Sequence, residues 1–429
     1  MTRVLVLSHT TGYQLRAFND AAERLGIELM FATDRCHRLD DPWQDHAVAV
    51  RFHDEEASVR AIQRAARTTP VSGVIAVGDR PVVLAARAAE ALGLPWHSAG
   101  GAQASTDKRR SRATLAAAGL PSPRFSVLPV AALDPPAFAA QAGTAGKPAS
   151  RLDFPVVLKP LGLSGSRGVI RADDPREFEE ALHRIRALLA RPQIRSARAG
   201  LEDAILVEEY IDGDEFALEG VLTQGALKTF AIFDKPDPLT GPFFEETIYV
   251  APSRLSAGVQ DAVSQHVEAA ARALGLSHGP VHAECRIAAD GRIYVLEVAA
   301  RPIGGLCSRV LTFTGGASLE EVLLQHAIGG DIGALVRESC GAAVMMIPIP
   351  RRGRLRAVEG QAAARAVPGV TDLRITAKPD QLLETLPEAG SYLGFIFARG
   401  DTASDAERAV REAHAHLTFT IEREISVAT

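Results

Sequence analysis

The sequence predicts a multidomain protein of mixed α/β and α+β class, and three observations carry that prediction. Short apolar runs alternate with amphipathic stretches through the first 100 residues. From Phe154 the pattern turns to strands and hairpins, and near residue 340 an α/β pattern returns. The chain has 429 residues, 47% hydrophobic and 23% charged. That is room for roughly two to four domains of ~100–200 residues, each able to bury a core. The apolar fraction is far too high for a disordered chain.

The elements follow in order. Val4–Leu7 reads as a strand, Tyr13–Leu25 as a helix and Ile27–Ala32 as a second strand. Val48–Phe52 and Val74–Val77 read as further strands, with Ser58–Ala66 and Pro81–Leu92 as helices. Strands that alternate with helices argue for a parallel, doubly wound sheet. Ser8-His-Thr-Thr-Gly12 follows the first strand in place of a G-x-G-x-x-G turn, so this unit is no dinucleotide site by itself. Pro129–Pro155 reads as a loop-rich connection flanking an Ala-rich helix. Beyond it come strands at Val156–Lys159, Gly168–Arg171, Ala204–Tyr210, Phe216–Leu222 and Ala226–Phe233, with helices at Pro175–Leu189 and Ala257–Leu274. Ala343–Ile349, Gly369–Ile375 and Leu393–Arg399, with the helix Ala403–His416, read as a third, smaller unit. The expected division is 1–105, 106–340 and 341–429.

Several classes are excluded. No stretch approaches the ~18 apolar residues of a membrane span, and the N-terminal run reads as a strand and not a signal peptide. A net charge of −5 gives no electrostatic reason for nucleic acid. Cys36, Cys285, Cys307 and Cys340 lie far apart, against a disulfide or zinc scaffold and in keeping with a reducing cytoplasm. Trp43, Trp96 and the Met345–Met346 pair read as core or interface. Cys307 lacks a histidine at recognisable spacing and reads as packing.

The most informative segment is Val281-His-Ala-Glu-Cys-Arg-Ile-Ala-Ala-Asp-Gly-Arg-Ile-Tyr-Val-Leu-Glu-Val-Ala-Ala-Arg301. Asp290-Gly291 between β-rich runs is a favoured two-residue hairpin turn. In that register Glu284 stands opposite Glu297, with β-carbons ~4.5–5.5 Å apart. Bare carboxylates so placed repel. A hard divalent cation between them reverses the sign, and Mg²⁺ prefers carboxylate, phosphate and water oxygens. Arg301 lies just past the strand end, where it can reach an anion. The bland alternative is an exposed hairpin whose two glutamates sit in water.

The chain has only six lysines. Lys159 ends an apolar strand and is followed by Gly162-Leu-Ser164-Gly165-Ser166-Arg-Gly168, small residues whose N–H groups can approach a polyphosphate. An ordinary hairpin loop has the same composition, and no Walker A Gly-Lys-Ser/Thr follows. Lys108 precedes an Ala-rich helix and by itself reads as a solvated cation. Ile205–Glu209, followed by Asp212, Asp214 and Glu215, reads as an apolar strand with an acidic end, and extended backbone there can meet a base edge. His282, on the face of Glu284, reads as a hydrogen-bonded structural histidine or a contact to a substrate carboxylate.

In this order and spacing the elements from Lys108 to Gly305 resemble the ATP-grasp superfamily of carboxylate–amine ligases, and the preceding α/β unit resembles that superfamily's N-terminal domain. Glu297-Val-Ala-Ala-Arg301 and Glu245-Glu-Thr247 are most similar to the L-amino acid ligases, which make dipeptides. The resemblance implies an ATP-grasp fold with an N-terminal Rossmann-like domain and a small C-terminal α/β domain. It implies ATP and Mg²⁺, or Mn²⁺ in its place. Lys108 and Lys159 match nucleotide-contacting lysines, and Ser164, Gly165, Ser166 and Gly168 belong to the loop over the β- and γ-phosphates. Glu208 matches an acid at the adenine amino group, with the Glu209 and Ile211 backbones at the ring and Glu215 at the ribose. Glu284 and Glu297 match the metal carboxylates and Glu246 a further acid near the metals. Arg301 matches the arginine facing the transferred phosphoryl group, and Gly304-Gly305 the turn near the substrate carboxylate. Most of the superfamily places an Asn two residues after the second metal Glu; here that residue is Ala299, as in the L-amino acid ligases. Some of those ligases carry a His where this chain has Tyr249.

The implied activity is phosphorylation of a carboxylate to an acyl phosphate and its capture by an amine, with release of ADP and phosphate. Two L-amino acids are the simplest pair, and small-molecule substrates the expected partners. No base for the amine is identifiable from the sequence, and Glu246 is a candidate only where metal does not fully engage it. The alternatives are a ligase for a carrier protein or natural-product intermediate, and a non-catalytic nucleotide-binding protein. The last predicts lost ligands, whereas Lys159, Glu284, Glu297 and Arg301 are all present. The C-terminal unit is expected to close over the substrate side or to form a subunit contact, as in a homodimer.

Overall fold

The computed structural model describes residues 2–9, 14–34, 47–130, 153–195 and 200–423. Gly12, Tyr13, Cys36, Trp43 and the Ala-rich helix expected between Pro129 and Pro155 lie outside these residues.

The N-terminal part is a parallel sheet in the order Val48–Ala49, Glu28–Thr33, Arg3–Ser8, Gly73–Val77. Every residue of Gly73–Val77 is buried, as a strand covered on both faces requires. Helix Leu15–Leu25 stops at Gly26 (φ 64°), whose left-handed backbone terminates it. Helix Glu55–Thr68 starts where Asp54 accepts from the Ala57 N–H. The strand expected at Val48–Phe52 is only two residues long.

A four-stranded antiparallel sheet follows, ordered Phe125–Pro129, Ala204–Glu209, Val156–Pro160, Ile170–Ala172. Helix Pro175–Leu189 covers it. Asp174 caps this helix through the Glu177 N–H, Pro175 stands at its first turn, and Phe178, Ala181, Leu182, Ile185, Leu188 and Leu189 form its buried stripe. Each of the larger side chains stabilises by about 1.5–3 kcal/mol on burial.

The central sheet has eight strands, in the order Ile293–Ala299, Gly279–Ile287, Asp214–Thr223, Ala226–Asp234, Ile248–Ala251, Gly341–Ile347, Gly394–Gly400, Val370–Ile375. Gly341–Ile347 pairs directly with Ile248–Ala251. The C-terminal strands therefore extend the sheet that carries the hairpin, and only the small sheet of Leu382–Leu383, Gly353–Glu359 and Thr418–Glu422 stands apart. They still bury a cluster of their own, around Ile347, Leu373, Leu393, Ile396 and Val410.

The hairpin turn differs from the expected one. Ala288 donates to the Arg292 carbonyl and Gly291 to the Ala288 carbonyl, so the loop has three residues, with Gly291 at φ 81°. Near the loop Cys285 pairs with Val295, one step off the two-residue register. A bulge at Leu296 restores it, and Glu284 faces Glu297 as expected.

Candidate active site

One cavity of about 420 Å³ lies where the three parts meet. Its lining includes Lys108, Lys159, Ser164–Ser166, Glu208, Glu209, Ile211, Glu215, Glu246, Tyr249, His282, Glu284, Glu297, Arg301, Gly304 and Gly305. Gly168, at the rear of the loop, is the one expected site residue not on that lining. Its φ is 75°, and a Cβ there would meet Pro160 Cγ at 2.6 Å.

At one end sits a knot of charge around Glu208, which is 1% exposed. Lys159 Nζ lies 2.6 Å from one oxygen. The equally buried Arg112 lies 2.6 Å from the other, as an ion pair out of hydrogen-bond alignment. Burial pushes this carboxyl up, but Arg112 and Lys159 outweigh it and hold it below the usual carboxylate range. Both Glu208 oxygens are thereby engaged, and Lys159 is held at the strand end. Glu209 turns outward to Arg124 (2.6 Å). The Ile211 carbonyl accepts from Arg286 (2.8 Å). Lys108 reaches across to the Leu163 carbonyl (2.7 Å), with Glu297 3.7 Å away.

At the other end three acids surround one lysine. Lys235 Nζ lies 2.7 Å from Glu215, 2.5 Å from Glu246 and 3.2 Å from Glu284. Burial disfavours its charge, but the three carboxylates prevail and raise its pKa well above the ordinary value. Burial together with Glu284 and Glu215 pushes Glu246 up, whereas Lys235 holds Glu284 low against burial. The second oxygen of Glu215 takes Arg286 (2.9 Å).

One carboxylate oxygen from each of Glu215, Glu246 and Glu284 lies within 4.8 Å of the others. Hard oxygen donors gathered around an existing cation fit Mg²⁺. The structure thus brings Glu246 and Glu284 together and adds Glu215, while Glu297 stays with Lys108 across the hairpin.

Arg301 is fixed from the N-terminal part. Its Nε donates to Asp79 (2.6 Å), which follows the parallel strand Gly73–Val77. Burial works against its charge, and Asp79 outweighs burial, raising the guanidinium pKa. Glu219, fully buried, accepts from the Ile303 N–H (3.1 Å) and pairs with His282 Nδ1 (3.1 Å). The Gly304–Gly305 turn is anchored beside them, since Gln14 also donates to the Ile303 carbonyl (3.1 Å). Tyr249 is buried with its ring 5.1 Å from Lys235 Nζ. Cys307 lines the cavity, but burial pushes its thiol far up, which suits packing and not nucleophilic attack.

Arg112, Lys235, Arg286, Glu219 and Asp79 carry this geometry and were not singled out in the sequence. Two left a trace. Lys235 is one of six lysines, and Asp79 stands at the carboxyl end of a parallel strand, where open α/β sheets place ligand contacts.

Comparison with known proteins finds relatives of the same fold. The ATP-grasp domain family matches residues 152–310, the ATP-grasp N-terminal domain 19–96, and the L-amino acid ligase C-terminal domain 2 residues 345–422. The crystal structure of an L-amino acid ligase from Bacillus licheniformis superposes with a TM-score of 0.80 at 26% identity, covering 99% of each chain. An uncharacterized protein of Sinorhizobium fredii is 24% identical over 98% of this chain and 84% of its own. A D-alanine–D-alanine ligase of Aromatoleum aromaticum is 29% identical over 218 residues, half of this chain and 62% of the relative.

Fold and cavity together define an ATP-grasp protein. Within that class the chain is most like the L-amino acid ligases. Among the described residues no helix is long and apolar enough to cross a membrane.

Proposed function

We propose that the protein joins two L-amino acids into a dipeptide, with cleavage of ATP to ADP and phosphate. The observation that carries this reading is convergence. Lys108, Lys159, the loop at Ser164, Glu246, Glu284, Glu297 and Arg301 come from distant segments and line one cavity.

The chemistry explains the need for them. A carboxylate does not acylate an amine at neutral pH, because an oxide is a poor leaving group. Phosphorylation turns that oxygen into a good one, and phosphoryl transfer mainly demands positioning and charge neutralisation. In this reading Lys108, Lys159 and the N–H groups of Ser164, Gly165 and Ser166 hold the nucleotide phosphates. Arg301 stabilises negative charge on the transferring group and then on the tetrahedral oxyanion. Mg²⁺, or Mn²⁺, held by Glu246 and Glu284 with Glu297 opposite, supplies further neutralisation of phosphate oxygens when bound. Glu246, which lines the cavity, is a candidate to take a proton from the attacking ammonium when it is not a metal ligand. Tyr249 and His282 stand at the substrate end with Gly304 and Gly305. The division into 1–105, 106–340 and 341–429 serves this reading as nucleotide site plus two flanking parts.

The test is phosphate release from MgATP across pairs of free L-amino acids, with product mass read in parallel. Stimulation by at least one pair, with a dipeptide formed, is expected. A full panel without stimulation removes the dipeptide assignment.

A further inference from the structure

The glycine-rich loop is gripped from behind by the C-terminal part of the chain. Gly168 N–H donates to the Pro387 carbonyl (2.8 Å), and Arg167 Nε to the Glu388 carbonyl (3.0 Å). On the helix behind the loop, Arg184 holds the Glu388 carboxylate with two bonds, 3.0 and 2.9 Å. Arg191, just past that helix, takes Glu384 at 2.7 Å. Three arginines of the loop and its supporting helix region thus converge on five residues, 384–388.

Those five residues are built to present their acceptors. Glu388 and Ala389 both donate to the Thr385 carbonyl (3.1 and 3.0 Å), which folds the segment into a single turn. Each flank is anchored by a buried leucine, Leu383 at 1% and Leu393 at 0% exposure. The residues between, Gly390, Ser391 and Tyr392, line the cavity. One segment therefore touches the phosphate loop with its first half and the substrate end with its second.

We propose that residues 384–392 form a strap that positions the glycine-rich loop over the nucleotide phosphates, with Glu388 and Arg184 as positioning residues. The role rests on the reading of the cavity as a nucleotide site. A loop of small residues has many conformations and loses much entropy when it orders. Its N–H groups hold phosphate only in one of those conformations. Contacts at Arg167 and Gly168 select that conformation before the nucleotide arrives. The Arg184–Glu388 pair sets where the strap stands, and Tyr392 carries its position into the substrate end.

The test uses the full chain and MgADP, so it needs no amino acid substrate. Loop amides 162–168 are followed by hydrogen exchange, and ADP affinity by calorimetry, in Glu388→Arg and in the swapped pair Glu388→Arg/Arg184→Glu. Glu388→Arg is expected to speed exchange across the loop and to weaken ADP by roughly two- to five-fold, the scale of losing a partly exposed bidentate pair. The swapped pair is expected to recover most of both. A brace that serves only stability moves the melting temperature and leaves ADP affinity alone. Unchanged loop exchange and affinity in Glu388→Arg, or no recovery in the swap, overturns the strap. Should Glu388→Arg not fold, Glu384→Gln with Arg191→Gln carries the same readouts. If the unaltered protein binds no MgADP, the nucleotide reading itself falls; if it binds ADP and the variants match it, only the strap does.

Discussion

The two ends of the cavity hold similar groups in opposite proportion. Around Glu208 one acid meets two cations, Arg112 and Lys159. Around Lys235 three acids meet one lysine, with Arg286 on the far side of Glu215. Fully ionised, the first group carries a net positive charge and the second a net negative one. A buried pair draws its strength from low dielectric only when its charges balance, and any excess asks for a counter-ion. The excess at the first group attracts anions and the excess at the second attracts cations.

The sharpest way to break this contrast is at the acidic end. Glu284→Gln is expected to fold with a melting temperature within a few degrees of the unaltered protein and to lose at least ~100-fold in turnover with Mg²⁺. Steady-state phosphate release checks it, and undiminished turnover in both Glu284→Gln and Glu297→Gln would refute the metal role.

At the Glu208 end the large effect is on stability. Arg112→Met leaves Glu208 buried beside Lys159 alone, and a loss of about 3 kcal/mol is expected in urea unfolding. Adding Glu208→Gln should return part of it, because a buried carboxylate stripped of one of its two cations is then replaced by a neutral amide. No return would mean that Arg112 acts mainly by packing.

Lys235→Met sharpens the comparison from within the acidic group. With the ammonium removed, three carboxylates face one another, and added Mg²⁺ should raise the melting temperature more than it does in the unaltered protein. Equal shifts would show that the three acids do not gather a cation.

A further effect lies away from both ends. Burial pushes His97 and His326 down to about 4. Their folded pKa values fall below the unfolded ~6.5, so the unfolded chain binds more protons and stability is lost as pH falls from about 6.5 toward 4. Roughly 2 kcal/mol per imidazole is expected between pH 7 and pH 5, read by urea unfolding. His97→Phe should flatten part of that slope, and an unchanged slope would rule His97 out as its source.

Much of the frame was legible because its signals are local. Helices Pro175–Leu189 and Ala257–Leu274 have the expected limits, since an apolar stripe with a cap or a terminal glycine defines each within one segment. The facing of Glu284 and Glu297 was legible although the turn was not. The loop takes a third residue and the bulge at Leu296 offsets it, so two departures cancel at the residues that matter. Alternation along a strand reports which face a side chain takes, and it is blind to a compensated bulge.

The sequence by itself determined many of the strands and helices, the kinds of chemical group available and the pairing of two glutamates across one hairpin, because period, caps and turns act over a few residues. Only the tertiary structure decided that Asp79 meets Arg301, that Lys235 stands among three acids, and that a strap near Glu388 reaches the glycine-rich loop. Those partners are separated by 222, up to 49 and up to 221 positions in the chain, and nothing local encodes an approach over such spans. They meet because burying the apolar faces of several sheets leaves the charged ends of their strands to share one cavity.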